Sequence, residues 1–174
     1  MMRDVLSEPN VRRDGEAVVE PVRLWLRLLS CATMIEREIQ ARLRDRFGVS
    51  LARFDYLAQL DRAGEGELTM TELGQRLMVS GGNITGLTDR LEKEELVERR
   101  ADPGDRRVQR IALTGKGREL FAGMAVEHNQ WVREILAGLG GADADQMMSL
   151  LGKLKHSAES AEEQRRGAGM RKAQ

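Results

Sequence analysis

The sequence has one cysteine, three prolines and few aromatic side chains: two tryptophans, one tyrosine and three phenylalanines in 174 residues. A lone thiol, Cys31, cannot close an intramolecular disulfide, so a cross-linked framework is excluded and a reducing compartment fits. No run of the roughly 18 apolar residues that span a bilayer occurs. Met1 to Pro21 also lacks an uninterrupted apolar segment behind a basic start, so a cytoplasmic protein with no membrane partner is expected. There is no Cys/His cluster at metal-ligand spacing, and no glycine-rich phosphate loop follows a strand. The two histidines, His128 and His156, fall on separate predicted helices. An enzyme, a metal site and a cofactor are therefore not expected. Net charge is missing as well: 28 basic residues balance 28 acidic ones, so only the distribution of charge can point to a partner.

What the sequence does hold is helical periodicity. Trp25, Leu28, Leu29, Ala32, Ile35, Ile39 and Leu43 form a wide apolar stripe on a long helix that ends before Gly48. Ser50 can cap a second helix with Leu51, Phe54, Leu57 and Leu60 inward, and "RAGEGE" reads as a turn. In "TMTE", Thr69 and Glu72 stand at the spacing of a capping box, opening a short helix buried through Leu73 and Leu77. Ser80 can cap the next helix, whose inner face is Ile84, Leu87 and Leu91. The period then falls towards two in "LVERRADPGDRRVQRIAL", a β-hairpin with its turn at Asp102-Pro103-Gly104-Asp105. Thr114 starts another long helix through Leu120, Met124, Trp131, Ile135 and Leu139. After "GLGGAD" a last helix carries Met147, Leu150, Leu151 and Leu154. Residues 1–20 and 159–174 read as flexible tails around a single domain, 21–158. In it, long helices at 21–47 and 115–158 flank a lobe at 50–113. The fold class is mainly α with a small β-hairpin wing.

The helix beginning "SGGNITGLTDRLE" poses a question, because each glycine inside a helix costs roughly 0.5–1 kcal/mol relative to alanine. On its wheel Gly82, Thr85, Gly86 and Asp89 face outward with Asn83 on the flank. Short helix, turn, helix and hairpin is the order of a winged helix-turn-helix. A front without side chains at Gly82 and Gly86 lets the backbone enter a major groove, so that Asn83 and Thr85 reach base edges or phosphates. Thr71 and Arg90 complete the candidate helix contacts. The plainer reading is that Gly81 and Gly82 sit in a tolerant first turn and Gly86 is incidental. Arg99, Arg100, Arg106, Arg107 and Arg110 cluster around the hairpin, where Asp102 and Asp105 can hold the loop. Such a tip can reach phosphates or the minor groove, and Arg106 and Arg107 are its candidate contacts.

From about Val22 to Leu154 the sequence resembles the MarR family of bacterial transcriptional regulators, most densely in "LTMTELGQRLMVSGGNITGLTDRLEKEELVERRADPGDRRVQRIALTGKGREL". The "DPGDRR" wing followed by "LTGKG" is the specific signal. The resemblance implies a homodimer in which the flanking helices, 21–47 and 115–158, interlock, and winged lobes that bind a roughly palindromic double-stranded operator. It implies that Arg107 inserts at the wing tip, that Ser80, Asn83 and Thr85 belong to the reading end, and that Asp102 and Arg106 match the wing pattern. Several members of the family carry an acidic residue at the place of Ser80, so any wing-to-helix ion pair built on that position is unavailable here.

"RLMVSGGNITGLTDRLE" looks most like members that control catabolism of aromatic acids, which implies an aromatic acid or its coenzyme A thioester as effector and repression as the mode. Leu28, Cys31, Met34 and Tyr56 are candidates to line its pocket, with Arg37, Arg42, Arg44 and Arg46 available to meet an acid; such residues are otherwise core or solvent-facing. The alternative input is a thiol-based redox sensor using Cys31, for which the paired tyrosines of such sensors are not evident. An adaptor on the same fold would lack salt-sensitive affinity for DNA.

Overall fold

Gly48 decides where the first helix stops. Helix α1 (Pro21–Phe47) runs until Gly48 takes a left-handed φ of 66°, a conformation that glycine adopts without steric cost. Its N–H donates to the Arg44 carbonyl at 2.9 Å. The Ser50 hydroxyl then caps α2 (Leu51–Asp61) by accepting from the Arg53 N–H, as the sequence predicts. The computed structural model describes residues 21–63, 67–77, 81–102, 104–105 and 107–172. The tail expected over 1–20 lies outside them.

Helix α2 is the keel of the winged lobe. Phe54, Leu57 and Leu60 are buried, and the Phe54 ring packs 5.6 Å from Phe121 and stacks 4.6 Å from His128, both on α5 (Gly115–Ile135). Strand β1 (Glu67–Thr69) follows. No strand is predicted there, because three residues are too short to show alternation. Thr69 and Glu72 form the capping box at the start of α3 (Met70–Leu77): the Glu72 carboxylate accepts from Thr69 N–H at 2.7 Å, and the Thr69 hydroxyl accepts from Glu72 N–H at 3.2 Å.

Helix α4 (Gly81–Lys93) buries Ile84, Thr88 and Leu91, all under 3% exposed, while Leu87 is only half-buried. A threonine thus takes the central inner place assigned to Leu87. The hairpin of β2 (Val97–Ala101) and β3 (Gln109–Leu113) gains β1 as a third strand, in the antiparallel order β1-β3-β2. Ile111 lies opposite Leu68 on one side and Arg99 on the other. Because β3 is central, Ile111, Ala112 and Leu113 are all buried, and the expected alternation disappears at its inner end.

Helix α6 (Gly141–Lys172) continues through residues 159–172, where the sequence suggests a flexible tail. Polar all round, this segment shows no period. Its alanine, glutamate, glutamine and arginine favour helix, and i,i+4 pairs such as Glu162–Arg166 at 2.6 Å support it. The chain divides into two compact units, one ending at Val132 and one beginning at Arg133. No described helix is long and apolar enough to cross a membrane.

Candidate nucleic-acid interface

The buried stripe of α4 turns the opposite face outward. Asn83, Thr85 and Arg90 are exposed there and Gly86 is half-buried. A Cβ added at Gly86 would meet nothing within 4 Å, so the fold itself does not require glycine at this position. Arg90 lies back along the same face, its Nε donating to the Gly86 carbonyl at 3.0 Å. Gly82 belongs to the first turn of α4, and Thr71 is exposed on α3. Ser80 lies outside the described residues.

The inner face is fixed by a polar contact that hydrophobic periodicity does not reveal. The Tyr56 phenol meets the Thr88 hydroxyl at 2.6 Å, and the Thr88 hydroxyl donates to the Ile84 carbonyl at 2.8 Å. Both side chains are fully buried, so the Tyr56 phenol needs the Thr88 hydroxyl, which has the Ile84 carbonyl as a second partner. Burial pushes the Tyr56 phenol up to about 12, with the Thr88 hydrogen bond acting in the other direction. Tyr56, a candidate pocket residue, is thus a core residue joining α2 to α4. Cys31 and Met34 are exposed on α1 and Leu28 is half-buried. The four pocket candidates divide between the core and the surface of one protomer.

The arginines around the hairpin separate into two kinds. Arg99 of β2 forks onto Asp89 and Glu92 of α4, one helical turn apart on the same face. Arg100 bridges Glu67 and Glu98, and Arg110 pairs with Asp102. These three are tied to carboxylates, contrary to the single basic cluster that the sequence suggests. The i,i+3 spacing of Asp89 and Glu92 before an arginine-bearing strand is the signal that could have found the Arg99 brace. Arg107 is exposed at the tip. Arg106 lies outside the described residues.

Two aspartates give the tip its shape. One oxygen of Asp102 accepts from the N–H groups of Gly104 at 2.7 Å and Asp105 at 3.0 Å, and Asp105 accepts from the Arg107 N–H at 2.9 Å. The Arg110 guanidinium, then these N–H groups, hold the Asp102 carboxyl below the usual carboxylate range. Asp102 therefore stays charged and keeps the turn folded. Among the described residues no group of three or more His, Cys, Asp or Glu is placed to hold a metal ion.

An exposed helix front beside an arginine-tipped hairpin is the surface of a winged helix, and comparison with known proteins agrees. The family model described as MarR family matches residues 47–108, from the end of α1 into the wing. The HTH-type transcriptional regulator YsmB of Bacillus subtilis (strain 168) is 32% identical over 91 residues, which are 52% of this chain and 62% of that relative, a little under two thirds of its length. PecS of Dickeya dadantii (strain 3937), another HTH-type transcriptional regulator, is 28% identical over 138 residues, 79% of this chain and 82% of PecS. The crystal structure of Sco3205, a MarR family transcriptional regulator from Streptomyces coelicolor in complex with DNA, matches with a TM-score of 0.70 at 26% identity, covering 88% of this chain and 92% of that one. In its winged lobe and in these likenesses, the chain is similar to the MarR family of winged-helix transcriptional regulators.

Proposed function

We propose that the protein represses transcription by binding a palindromic double-stranded operator as a homodimer and letting go when a small aromatic acid, or its coenzyme A thioester, binds. The reading rests chiefly on the open front of α4, where Asn83 and Thr85 stand exposed around a glycine that faces empty space. Asn83 and Thr85 meet base edges, with Thr71, Ser80, Gly82, Gly86 and Arg90 lining the approach. Arg106 and Arg107 reach phosphates or the neighbouring minor groove from the wing. The DNA bound to Sco3205 supports the same use of this fold.

A second copy answers a different feature of the protomer. Val22, Trp25 and Leu29 of α1 and Met147, Leu150, Leu151 and Leu154 of α6 are all more than 40% exposed. Apolar surface of this kind on either helix marks an interface, and a two-fold dimer covers the same surfaces on both copies. The effector reading draws on the sequence resemblance; release then follows if the ligand prefers a dimer shape whose reading helices are wrongly spaced. A second reading, redox sensing by Cys31, draws on the exposure of that thiol.

Titrating the upstream duplex at two salt concentrations tests the core of this proposal. Phosphate contacts make affinity fall as salt rises, and Arg107→Ala is expected to reduce the slope of log K against log salt by about 1. Asn83→Ala is expected to cost about 1–3 kcal/mol on the preferred sequence and much less elsewhere. A folded protein that ignores this duplex at low ionic strength would end the reading. Benzoate, hydroxycinnamate and their thioesters added to the complex, and peroxide added to wild type and Cys31→Ser, separate the two inputs.

A further inference from the structure

The last carbonyls of a helix have no partner inside it and must find donors elsewhere. Helix α4 meets this need itself, its Arg90, Leu91 and Glu92 carbonyls accepting from the Glu94, Leu96 and Glu95 N–H groups, and the three carbonyls that follow it, Glu94 to Leu96, take donors from one short segment. Lys116 Nζ donates to the Glu94 carbonyl at 2.8 Å. The Thr114 hydroxyl donates to the Glu95 carbonyl at 2.6 Å, and the Thr114 N–H to the Leu96 carbonyl at 3.1 Å. The same Thr114 oxygen accepts from Gly117 N–H at 3.0 Å, so one side chain opens α5 and holds the turn that follows α4. A Cβ built at Gly117 would lie 2.0 Å from the Leu96 carbonyl oxygen. Only glycine lets α5 come this close. From the other side Arg53 of α2 holds the Glu94 carboxylate.

We propose that Thr114, Lys116 and Gly117 are positioning residues that lock the exit of α4 to the first turn of α5, so that α5 sets the angle at which α4 meets DNA. This assignment presupposes the DNA-binding function proposed above. Three successive carbonyls of the turn after α4, held by a four-residue segment, leave the two helices little freedom to turn separately. A rotation of α5 is therefore delivered to the groove as a tilt of the reading face, and in a homodimer as a change in the distance between two reading faces.

The probe is a duplex enriched from random sequence by the full-length wild type, with derivatives in which the two half-sites are one base pair closer or farther apart. Binding is followed by fluorescence anisotropy, and dimerisation and melting are measured alongside. Gly117→Ala and Lys116→Met are expected to lose about tenfold on the enriched spacing, the size of one good base contact. They should lose less, or gain, on an altered spacing, with dimerisation intact, and Lys116→Arg should restore the wild-type preference. Should Gly117→Ala fail to fold, Lys116→Met decides. Variants that keep the wild-type spacing preference, or weaken equally at every spacing, overturn the lock alone. A wild type that enriches no duplex overturns the DNA-binding reading and this one with it.

Discussion

Gly86 of α4 and Gly117 of α5 serve the reading helix in opposite ways. Around Gly86 there is nothing within 4 Å of where a methyl would go; at Gly117 that methyl would be driven into the Leu96 carbonyl at 2.0 Å. The chain's own packing does not require the first glycine and does require the second. One front is kept bare, and one rear joint is kept tight. The difference shows that a glycine inside a helical pattern is a function marker only when its own fold leaves room for a side chain.

The contrast can be broken or sharpened by substitution. Leu91→Ala, in the fully buried rear face, is expected to lose about 2–5 kcal/mol of stability by denaturant unfolding. A much smaller loss would mean that the rear face does not carry the helix. Tyr56→Phe removes one partner of the buried Thr88 contact and should cost about 0.5–1.5 kcal/mol, with Thr88 still bonded to the Ile84 carbonyl. Gly86→Ala is expected to go the other way, raising stability by about 0.5–1 kcal/mol through helix propensity while weakening DNA binding. Unchanged affinity in that variant would remove the reason for a bare front.

The smallest effect concerns pH. Burial, then the nearby Arg62 charge, hold His128 below the ordinary imidazole value of 6.5, with its ring stacked on Phe54. The unfolded chain takes up this proton first, so stability contributed here is present above pH 6.5 and declines as pH falls below it. Melting curves between about pH 7.5 and pH 5 should show a steeper decline for wild type than for His128→Gln; equal declines would place the titration elsewhere.

Much of the lobe was readable because its signals are local. The Thr69–Glu72 box, the Ser50 cap and the Asp102–Asp105 turn each lie within four residues, and the stereochemistry that makes them is encoded in the same window. What escaped depends on distant parts. β1 is too short to show a period, and it exists because β3 offers an edge. Thr88 reads as polar until Tyr56 is brought to it from α2. Arg99, Arg100 and Arg110 look available until Asp89, Glu92, Glu67, Glu98 and Asp102 are folded against them. The residues of α6 after 158 lacked an apolar stripe, and propensity with i,i+4 pairing decided their state instead. At the candidate interface the positions of Asn83, Thr85, Gly86 and Arg107 were legible. The electrostatic separation between Arg107 and its neighbours was not.

Glu95 adopts a φ of 60°, left-handed without being glycine, a conformation that costs roughly 1–2 kcal/mol for an ordinary side chain. It is held there by Thr114 on its carbonyl and by the Leu96 N–H closing back onto the Leu91 carbonyl at 2.9 Å. The exit of α4 therefore carries a local backbone strain that the Thr114 hydroxyl and the Leu96 N–H together offset.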